Sequence, residues 1–342
     1  MARAGGGAQS GAIVAPNPAP PLAVRVFSAE DIDRALDFPS LVETLSMAMR
    51  GGFIAPARHH HEIERAGEKP AVQLLMPAWT ESASKAGLYL GAKIVNVFPG
   101  NAARGAPTVM GTYVLQSGRT GATLAALDGT RLTHWRTAAA SALAARHLAR
   151  PDAERLLVVG AGALAPYLAR AHASQRPYEA ITVWNRSPEG ARRVAEALRA
   201  LGLPARASED IEGAVAEADV ISSATLTTAP LIEGRWLKPG QHLDLVGAFT
   251  MAMREADDEA LKRSRIFIDT EAACTEGGDV AIGLASGVIA RADVAADLPA
   301  LCRGARGRRS IDEITLFKSV GAAIEDLAAA MLVWRKSGGA EP

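Results

Sequence analysis

Runs of apolar residues separated by turn-forming residues divide the chain into a sheet-rich first part and a second part where strands and helices alternate. In the first part, residues 72–76, 88–97, 112–115 and 123–127 read as strands, the last two separated by the turn-rich Gln116-Ser-Gly-Arg-Thr-Gly121. Ser28-Ala-Glu-Asp31 has the form of a helix cap, and residues 41–51 predict a longer helix. An alanine-rich helix is expected from Leu132 to Leu148, with Arg136 and Thr137 at its N-terminal end and Pro151 closing it. Beyond it come a strand at 156–159, a helix at 163–173, a strand at 180–187 and a helix at 191–201. Further strands are predicted at 219–225, 242–248 and 266–269, and residues 314–321 lead into a helix at 322–335. Such alternation predicts an α/β chain with a parallel sheet covered on both faces, preceded by a mixed α+β portion. No internal repeat is present.

The stretch Leu156-Leu-Val-Val-Gly-Ala-Gly-Ala-Leu-Ala165 gives the second part its chemistry. A buried strand, a Gly-x-Gly-x-x-Ala turn and a helix in that order are the Rossmann-type dinucleotide-binding unit. Gly160 permits the tight turn, Gly162 lets backbone approach a pyrophosphate, and Ala165 is the small residue where helix packs on strand. The anion would then sit on free N–H groups around Ala161 and Ala163 at the helix N-terminus. The next strand ends in Asn185, Arg186 and Ser187, where an NAD site carries an acidic residue for the ribose hydroxyls. A neutral Asn followed by an Arg able to pair with a 2′-phosphate points to NADP(H) in preference to NAD(H). The alternative is that Arg186 is a solvated loop residue. Ligands in a parallel sheet lie at the carboxyl ends of its strands, here near Gly160, Ser222–Thr225 and 246–249; Ala224, Thr225, Val246 and Gly247 are therefore cofactor candidates.

Composition narrows the picture further. At 342 residues the chain has room for two domains, and 49% hydrophobic with 22% charged residues is ordinary for a soluble globular protein. Zero formal net charge gives no electrostatic case for nucleic acid or an anionic membrane. Two cysteines, Cys274 and Cys302, lack metal-site spacing, and a reducing cytoplasmic setting is expected. The first residues, up to about 23, are Gly-, Ala- and Pro-rich; a disordered tail is expected, because Gly, Pro and Asn interrupt every candidate h-region of a signal peptide. His59, His60 and His61 are adjacent, but strand neighbours face opposite ways, so no metal site is expected there. Lys93 lies inside the apolar run Leu88-Tyr-Leu-Gly-Ala-Lys-Ile-Val95 and must either snorkel to water or meet an anion.

Several stretches together resemble the ornithine cyclodeaminase/mu-crystallin family. They are Lys93-Ile-Val-Asn-Val-Phe-Pro-Gly-Asn101, Leu132-Thr-His-Trp-Arg-Thr-Ala-Ala-Ala-Ser141, Gly160-Ala-Gly162, Val183-Trp-Asn-Arg186, Glu276-Gly-Gly-Asp279 and Thr315-Leu-Phe-Lys-Ser-Val-Gly-Ala-Ala-Ile-Glu-Asp326. The resemblance implies a homodimer. Residues 24–135 and 313–338 would form the substrate-binding and dimerisation domain, and 136–312 the nucleotide domain. It also implies that Arg58, Lys93 and Arg136 grip a substrate carboxylate, the alternative being that each pairs with a protein carboxylate. Thr137, Ser319 and Gly321 would lie near the nicotinamide.

One departure matters. Family members that cyclise ornithine carry an aspartate where this chain has Phe249, in Val246-Gly-Ala-Phe-Thr250. Phe249 cannot trade protons with substrate amines, but it can pack against a flat cyclic imine. The run Gly247-Ala-Phe-Thr-Met-Ala-Met-Arg-Glu-Ala-Asp257 looks instead like the family's ketimine reductases, which act on Δ1-pyrroline-2-carboxylate or Δ1-piperideine-2-carboxylate. Glu255 and Asp257 fall in a polar helical start and are expected to be solvated. The first reading is therefore NADPH-dependent reduction of a cyclic imino acid. The other two are cyclodeamination or amino-acid dehydrogenation, and NADPH binding without turnover.

Overall fold

The computed structural model describes residues 23–342 except 85 and 86, and leaves the side chain of residue 102 undescribed, so the expected N-terminal tail lies outside the described residues. Strand β1 (Arg25–Phe27) leads into helix α1 (Ala29–Ala35), which Ser28 and Asp31 cap reciprocally as their spacing predicts. Asp37 caps α2 (Phe38–Arg50), which starts three residues before the expected position because Pro39 fits the first turn of a helix. There follow β2 (Phe53–Ile54), β3 (His59–Ile63), β4 (Ala71–Thr80), β5 (Tyr89–Val97), β6 (Val109–Ser117) and β7 (Thr123–Asp128). With β1 they make a seven-stranded mixed sheet, ordered β1-β7-β6-β5-β4-β2, with β3 also on β4. Helix α3 (Gly129–Leu148) then runs unbroken, buried along most of its length. Its start is three residues earlier than the apolar pattern indicates, because the Asp128 carboxylate accepts a hydrogen bond from the N–H of Arg131.

The second part alternates as expected: β8 (Arg155–Val159), α4 (Ala165–Gln175), β9 (Ala180–Trp184), α5 (Pro188–Ala200), β10 (Ala205–Ser208), α6 (Ile211–Glu217), β11 (Val220–Ser223) and β12 (His242–Leu245). After these come α7 (Asp258–Arg263), β13 (Ser264–Ile268), α8 (Gly278–Ala285), β14 (Val294–Asp297), α9 (Leu298–Cys302), β15 (Ile314–Lys318) and α10 (Ala323–Lys336). Eight strands pair in parallel, in the order β10-β9-β8-β11-β12-β15-β13-β14.

Two domain boundaries read from the sequence need correction. The junction placed between 135 and 136 falls inside the continuous helix α3. The stretch from 313, assigned to the first domain, begins with β15, which lies in the parallel sheet between β12 and β13; only α10 packs on the mixed sheet. A strand's partners are set by burial on both its faces, which one-dimensional order does not record.

One apolar core spans both parts. Leu41, Leu45, Trp135, Leu143, Leu327 and Met331 from α2, α3 and α10 join Tyr113 and Leu115 of the mixed sheet and Phe267 and Phe317 of the parallel sheet. The helical layer thus covers one face of the mixed sheet. On the opposite face the register aligns Val26, Ala126, Val114, Ala92 and Pro77, with Ile54, Trp79 and Leu90 alongside. Val26, Ile54 and Trp79 are exposed.

Candidate active site

At the carboxyl ends of the parallel strands, turns from separate parts of the chain close on one another. The turn after β8 has Gly160 at φ +108°, and a Cβ there would lie 2.7 Å from the Ala224 carbonyl oxygen. Only glycine fits both the backbone angle and the contact. Gly162 faces open space: a Cβ there would meet nothing within 4 Å. Helix α4 begins at Ala165 rather than 163, so Ala163 belongs to the turn. Its cap, Leu164, provides no side-chain acceptor; the Ala165 N–H already bonds the Gly162 carbonyl and Pro166 carries no N–H, so Tyr167 is the first-turn N–H donor left for an anion. A cleft of about 270 Å³ is lined by Gly160, Ala161, Gly162, Asn185, Arg186, Ala224 and Thr225, together with Trp184, Leu226, Thr227 and Leu231. Asn185 donates to the Ser187 carbonyl (3.0 Å), and Ser187 donates to Glu189 (2.9 Å). Arg186 is exposed at the rim. These residues fit a dinucleotide: a side-chain-free turn, an uncapped helix start and a cleft beside both.

Glu255 reverses an expectation. It is fully buried, not solvated, and its carboxylate ties two of these turns together. One oxygen accepts from Ser223 Oγ (2.6 Å), the Thr225 N–H (2.7 Å) and Thr225 Oγ1 (2.8 Å); the other accepts from the Gly247 N–H (2.7 Å). Burial pushes its pKa up to about 6, against the pull of Lys318. Asp279 in turn accepts from the Glu255 and Ala256 N–H groups and lies 3.3 Å from Lys318 Nζ, all within the interior. Asp257, half-buried, caps α7 through the Ala260 N–H. The sequence reading missed this because a polar run can coil inward to satisfy turn N–H groups, a need that only folded turns create.

Two of the three cations, Arg58 and Arg136, meet at the turn after β15, and Lys93 joins them through Asp326, which it shares with Arg136. Arg58 donates to the Gly321 carbonyl (2.6 Å) and the Val320 carbonyl (3.3 Å), and its Nε lies 3.3 Å from Glu276. Arg136 packs against Gly321, where a Cβ would come within 2.5 Å of its guanidinium, and Gly321 holds φ +84°. Lys93 points from the inner face of β5 to Asp326, 2.9 Å away, and to Thr133 Oγ1 at 3.3 Å. Of the two outcomes open to a cation in that apolar strand, snorkelling to water or meeting an anion, the structure shows the second, with Asp326 as the anion. Arg136 donates to Asp326 and to Glu325, each at 2.9 Å. All three cations thus have protein carboxylates beside them. Asp269, also buried, shapes the turn by accepting from the Thr270, Val320 and Gly321 N–H groups. Burial pushes Lys93 down to about 8, with Arg136 adding to it, and pushes Glu325 up to about 7. For Arg136 burial opposes the charge, but Asp326 and Glu325 outweigh it and raise its pKa.

Glu325, Asp326, Asp269 and Glu255 were not singled out from the sequence as site residues. Glu325 and Asp326 did leave a signal: an acidic pair inside the apolar run 322–334, the counterpart of Lys93 in its strand. Beside the turn lies a cavity of about 760 Å³ whose lining includes Arg58, Met76, Cys274, Glu276, Gly321 and Ala323. Thr137 is half-buried on α3, Ser319 is buried, Val246 and Gly247 are buried after β12, and Phe249 is 41% exposed. His59 and His61 stack on one face of β3, while His60 turns to Glu276 at 3.7 Å. Among the described residues no cluster of three or more His, Cys, Asp or Glu groups could hold a metal ion, and no helix is long and apolar enough to cross a membrane.

The chain is 40% identical over 295 residues to a Δ1-pyrroline-2-carboxylate reductase of Paracoccus denitrificans, covering 85% of this chain and 92% of that protein. The structure superposes on Thermococcus litoralis Δ1-pyrroline-2-carboxylate reductase in complex with NADH and L-proline, with TM-score 0.85, 31% identity and coverage of 92% and 97% of the two chains. It also matches an archaeal alanine dehydrogenase dimer with bound NAD, at TM-score 0.84, 28% identity and coverage of 92% and 96%. The family model for ornithine cyclodeaminase/mu-crystallin matches residues 23–340, and with relatives of this identity over most of its length the chain belongs to the ornithine cyclodeaminase/mu-crystallin family.

Proposed function

We propose that this protein reduces a cyclic ketimine carboxylate, Δ1-pyrroline-2-carboxylate to L-proline or Δ1-piperideine-2-carboxylate to L-pipecolate, with NADPH preferred over NADH. The observation that carries the reading is the meeting of Arg58 and Arg136 at the Ser319–Gly321 turn, with Lys93 joined to Arg136 through Asp326 in the first turn of α10, at the same edge of the parallel sheet as the glycine turn. A reduced nicotinamide, when bound, supplies the hydride. Arg136 and Lys93 receive the substrate carboxylate, Arg136 by a two-pronged contact and Lys93 as a compact charge. Phe249 offers the ring an apolar wall and no proton-trading group, which favours imine reduction over ring-closing deamination. Gly160 to Ala163, Ala224, Thr225, Val246 and Gly247 hold the dinucleotide, and Arg186 attracts a 2′-phosphate. Thr137, Ser319 and Gly321 border the nicotinamide. The reductases of Paracoccus and Thermococcus support the substrate class; the NADH bound to the latter makes cofactor choice a matter for direct measurement.

The parallel sheet serves the nucleotide, and the mixed sheet with α10 serves substrate and self-association. The apolar outer face of the mixed sheet has no covering layer among the described residues, and the archaeal dehydrogenase is a dimer; both support a homodimer through that face. Free thiols at Cys274 and Cys302 suit a cytoplasmic enzyme. The test is oxidation of NADPH and of NADH with each imine, with ornithine plus NAD as control. Consumption of NADPH with either ring, and no ammonia from ornithine, is the expected result. Ammonia release from ornithine without imine reduction would overturn it.

A further inference from the structure

Resting on the reading of the chain as an imine reductase, we propose that Glu325 is its proton donor, taking up a proton when the anionic imine binds and delivering it to the ring nitrogen. Reduction of a C=N bond needs a proton as well as a hydride. Arginine cannot release one. Lys93 gives two of its three N–H donors to Asp326 and Thr133, which leaves one for the substrate carboxylate and none for the ring nitrogen. Glu325 is the buried acid with a free side: it is 1% exposed, Oε2 accepts from Arg136 at 2.9 Å, and Oε1 has no partner among the described residues.

Position follows from the shape of the substrate class. In a cyclic ketimine carboxylate the carboxylate sits on the imine carbon, so the nitrogen is two bonds from the carboxylate carbon. A carboxylate received by Arg136 brings that nitrogen close to the acid that itself touches Arg136.

Charge supplies the proton. In the free protein Arg136 serves two carboxylates, Glu325 and Asp326. A substrate carboxylate adds a third anion in a buried setting, and like charges disfavour ionisation. The groups facing this cluster are Lys93 on β5, Tyr113 on β6, Arg136 on α3, Asp269 after β13, Arg58 before β3, and Asp326 on α10 itself. Helix α2 meets the far end of α10, where Asp37 pairs with Lys336. Asp326 is held by both Lys93 and Arg136, whereas Glu325 has Arg136 alone, so Glu325 is the one to protonate. Its pKa, about 7 through burial with Asp269 and Asp326 adding, makes the uptake accessible near neutrality.

In the step itself, hydride forms the new C–H bond at the imine carbon, and oxidation of the nicotinamide balances it. The C=N π pair takes the proton from the Glu325 carboxyl, forming N–H and leaving the carboxylate. The product amine then takes a second proton from water, and the Glu325 carboxylate regains its contact with Arg136.

Two measurements test this. In weak buffer at pH 8 with an indicator dye, wild type should take up protons on binding pyrrole-2-carboxylate, a flat unreactive analogue, and Glu325→Gln should bind it with no uptake. Binding by wild type without uptake overturns the proposal, and this arm needs no variant. In turnover, Glu325→Gln should lower kcat by about 10²–10⁴-fold, abolish the alkaline decline of kcat, and leave the Kd for NADPH unchanged, while Glu325→Asp restores part of both rate and decline. A folded Gln variant with wild-type kcat and pH profile removes Glu325 from the chemistry and leaves the reductase reading standing. Wild type that reduces neither imine sinks both.

Discussion

Arg136 has two partners of opposite consequence, the buried carboxylates of its own chain and the carboxylate of the proposed substrate. Arg136→Ala strips Glu325 and Asp326 of their shared cation, and breaking a buried pair of this kind costs about 3–5 kcal/mol of stability. Loss of activity in that variant would say little about substrate. Arg136→Lys keeps the charge and loses the planar fork, so the KM for the imine should rise about ten- to a hundredfold, the worth of one charge-assisted hydrogen bond. The Kd for NADPH should stay constant; if it is NADPH that weakens, Arg136 is a cofactor residue. Arg186 stands exposed at the cleft rim and offers the complementary test. Arg186→Ala should weaken NADPH by a similar factor and leave NADH nearly unchanged, and equal losses would remove the NADP assignment. Lys93 stood out in the sequence as a cation inside an apolar strand and Arg186 as the residue after Asn185, while Arg136 was marked only by the family resemblance. Their partners were not legible there, because Asp326 lies 233 positions from Lys93.

At the scale of elements, the site is a set of turns held at fixed separations. Glycines do this in two ways that substitution should separate. A Cβ at Gly247 would sit 2.1 Å from the Thr225 carbonyl oxygen and 2.6 Å from Glu255, so Gly247→Ala must push apart the turns after β11 and β12. A loss of about 1–3 kcal/mol is expected, read as a lower urea midpoint, as for overpacking elsewhere. Gly162 has nothing within 4 Å. Gly162→Ala should therefore leave the unfolding free energy, read from urea titration, within about 0.5 kcal/mol of wild type and still weaken dinucleotide binding measured by titration, because its methyl occupies the approach of the pyrophosphate. Unchanged affinity in that variant would move the pyrophosphate off this turn. The glycine turn was readable from sequence because its strand, turn and helix are contiguous. The bracing of Glu255 was not, because it depends on where three separate turns meet.

At the scale of the molecule, the outer face of the mixed sheet and the buried acids both make predictions. Val114 lies mid-face, with Ala126 and Ala92 on either side. Val114→Glu should convert a dimer into a folded monomer in sedimentation, since an isolated charge on a self-complementary face is met by its own copy across the two-fold axis. A wild-type protein that sediments as a monomer at micromolar concentration would refute the dimer. Folding stability should also carry the mark of Glu325. Its folded pKa of about 7 lies above the ordinary carboxyl value of 4.5, so the folded state holds the proton more tightly. That contribution is complete below 4.5 and is lost as pH rises through about 7. Buried His242 and the partly buried His134 and His147, whose pKa values burial lowers, act in the opposite sense below 6.5. The clean quantity is therefore the difference between Glu325→Gln and wild type, which should move in favour of the Gln variant by up to about 3 kcal/mol across this window, following linkage at about 1.36 kcal/mol per pH unit. A flat difference in urea midpoints would mean that Glu325 stays ionised or protonated throughout.

The sequence by itself determined what local pattern can determine. Alternating strands and helices gave the parallel sheet, Gly160 and Gly162 gave the tight turn between β8 and α4, and the apolar run around Lys93 left two outcomes, snorkelling to water or a buried anion. Tertiary structure decided three things the order of residues does not hold. It inserted β15 between β12 and β13, and it carried α3 unbroken from one sheet to the other. It also turned Glu255 inward and set Glu325 and Asp326 against Arg136. The physical reason is common to all three. Period and propensity act over a turn or two of chain, whereas the pairing of a strand or a buried charge is settled by which distant groups share the same water-free space, where an unpartnered polar group is costly enough to dictate the arrangement.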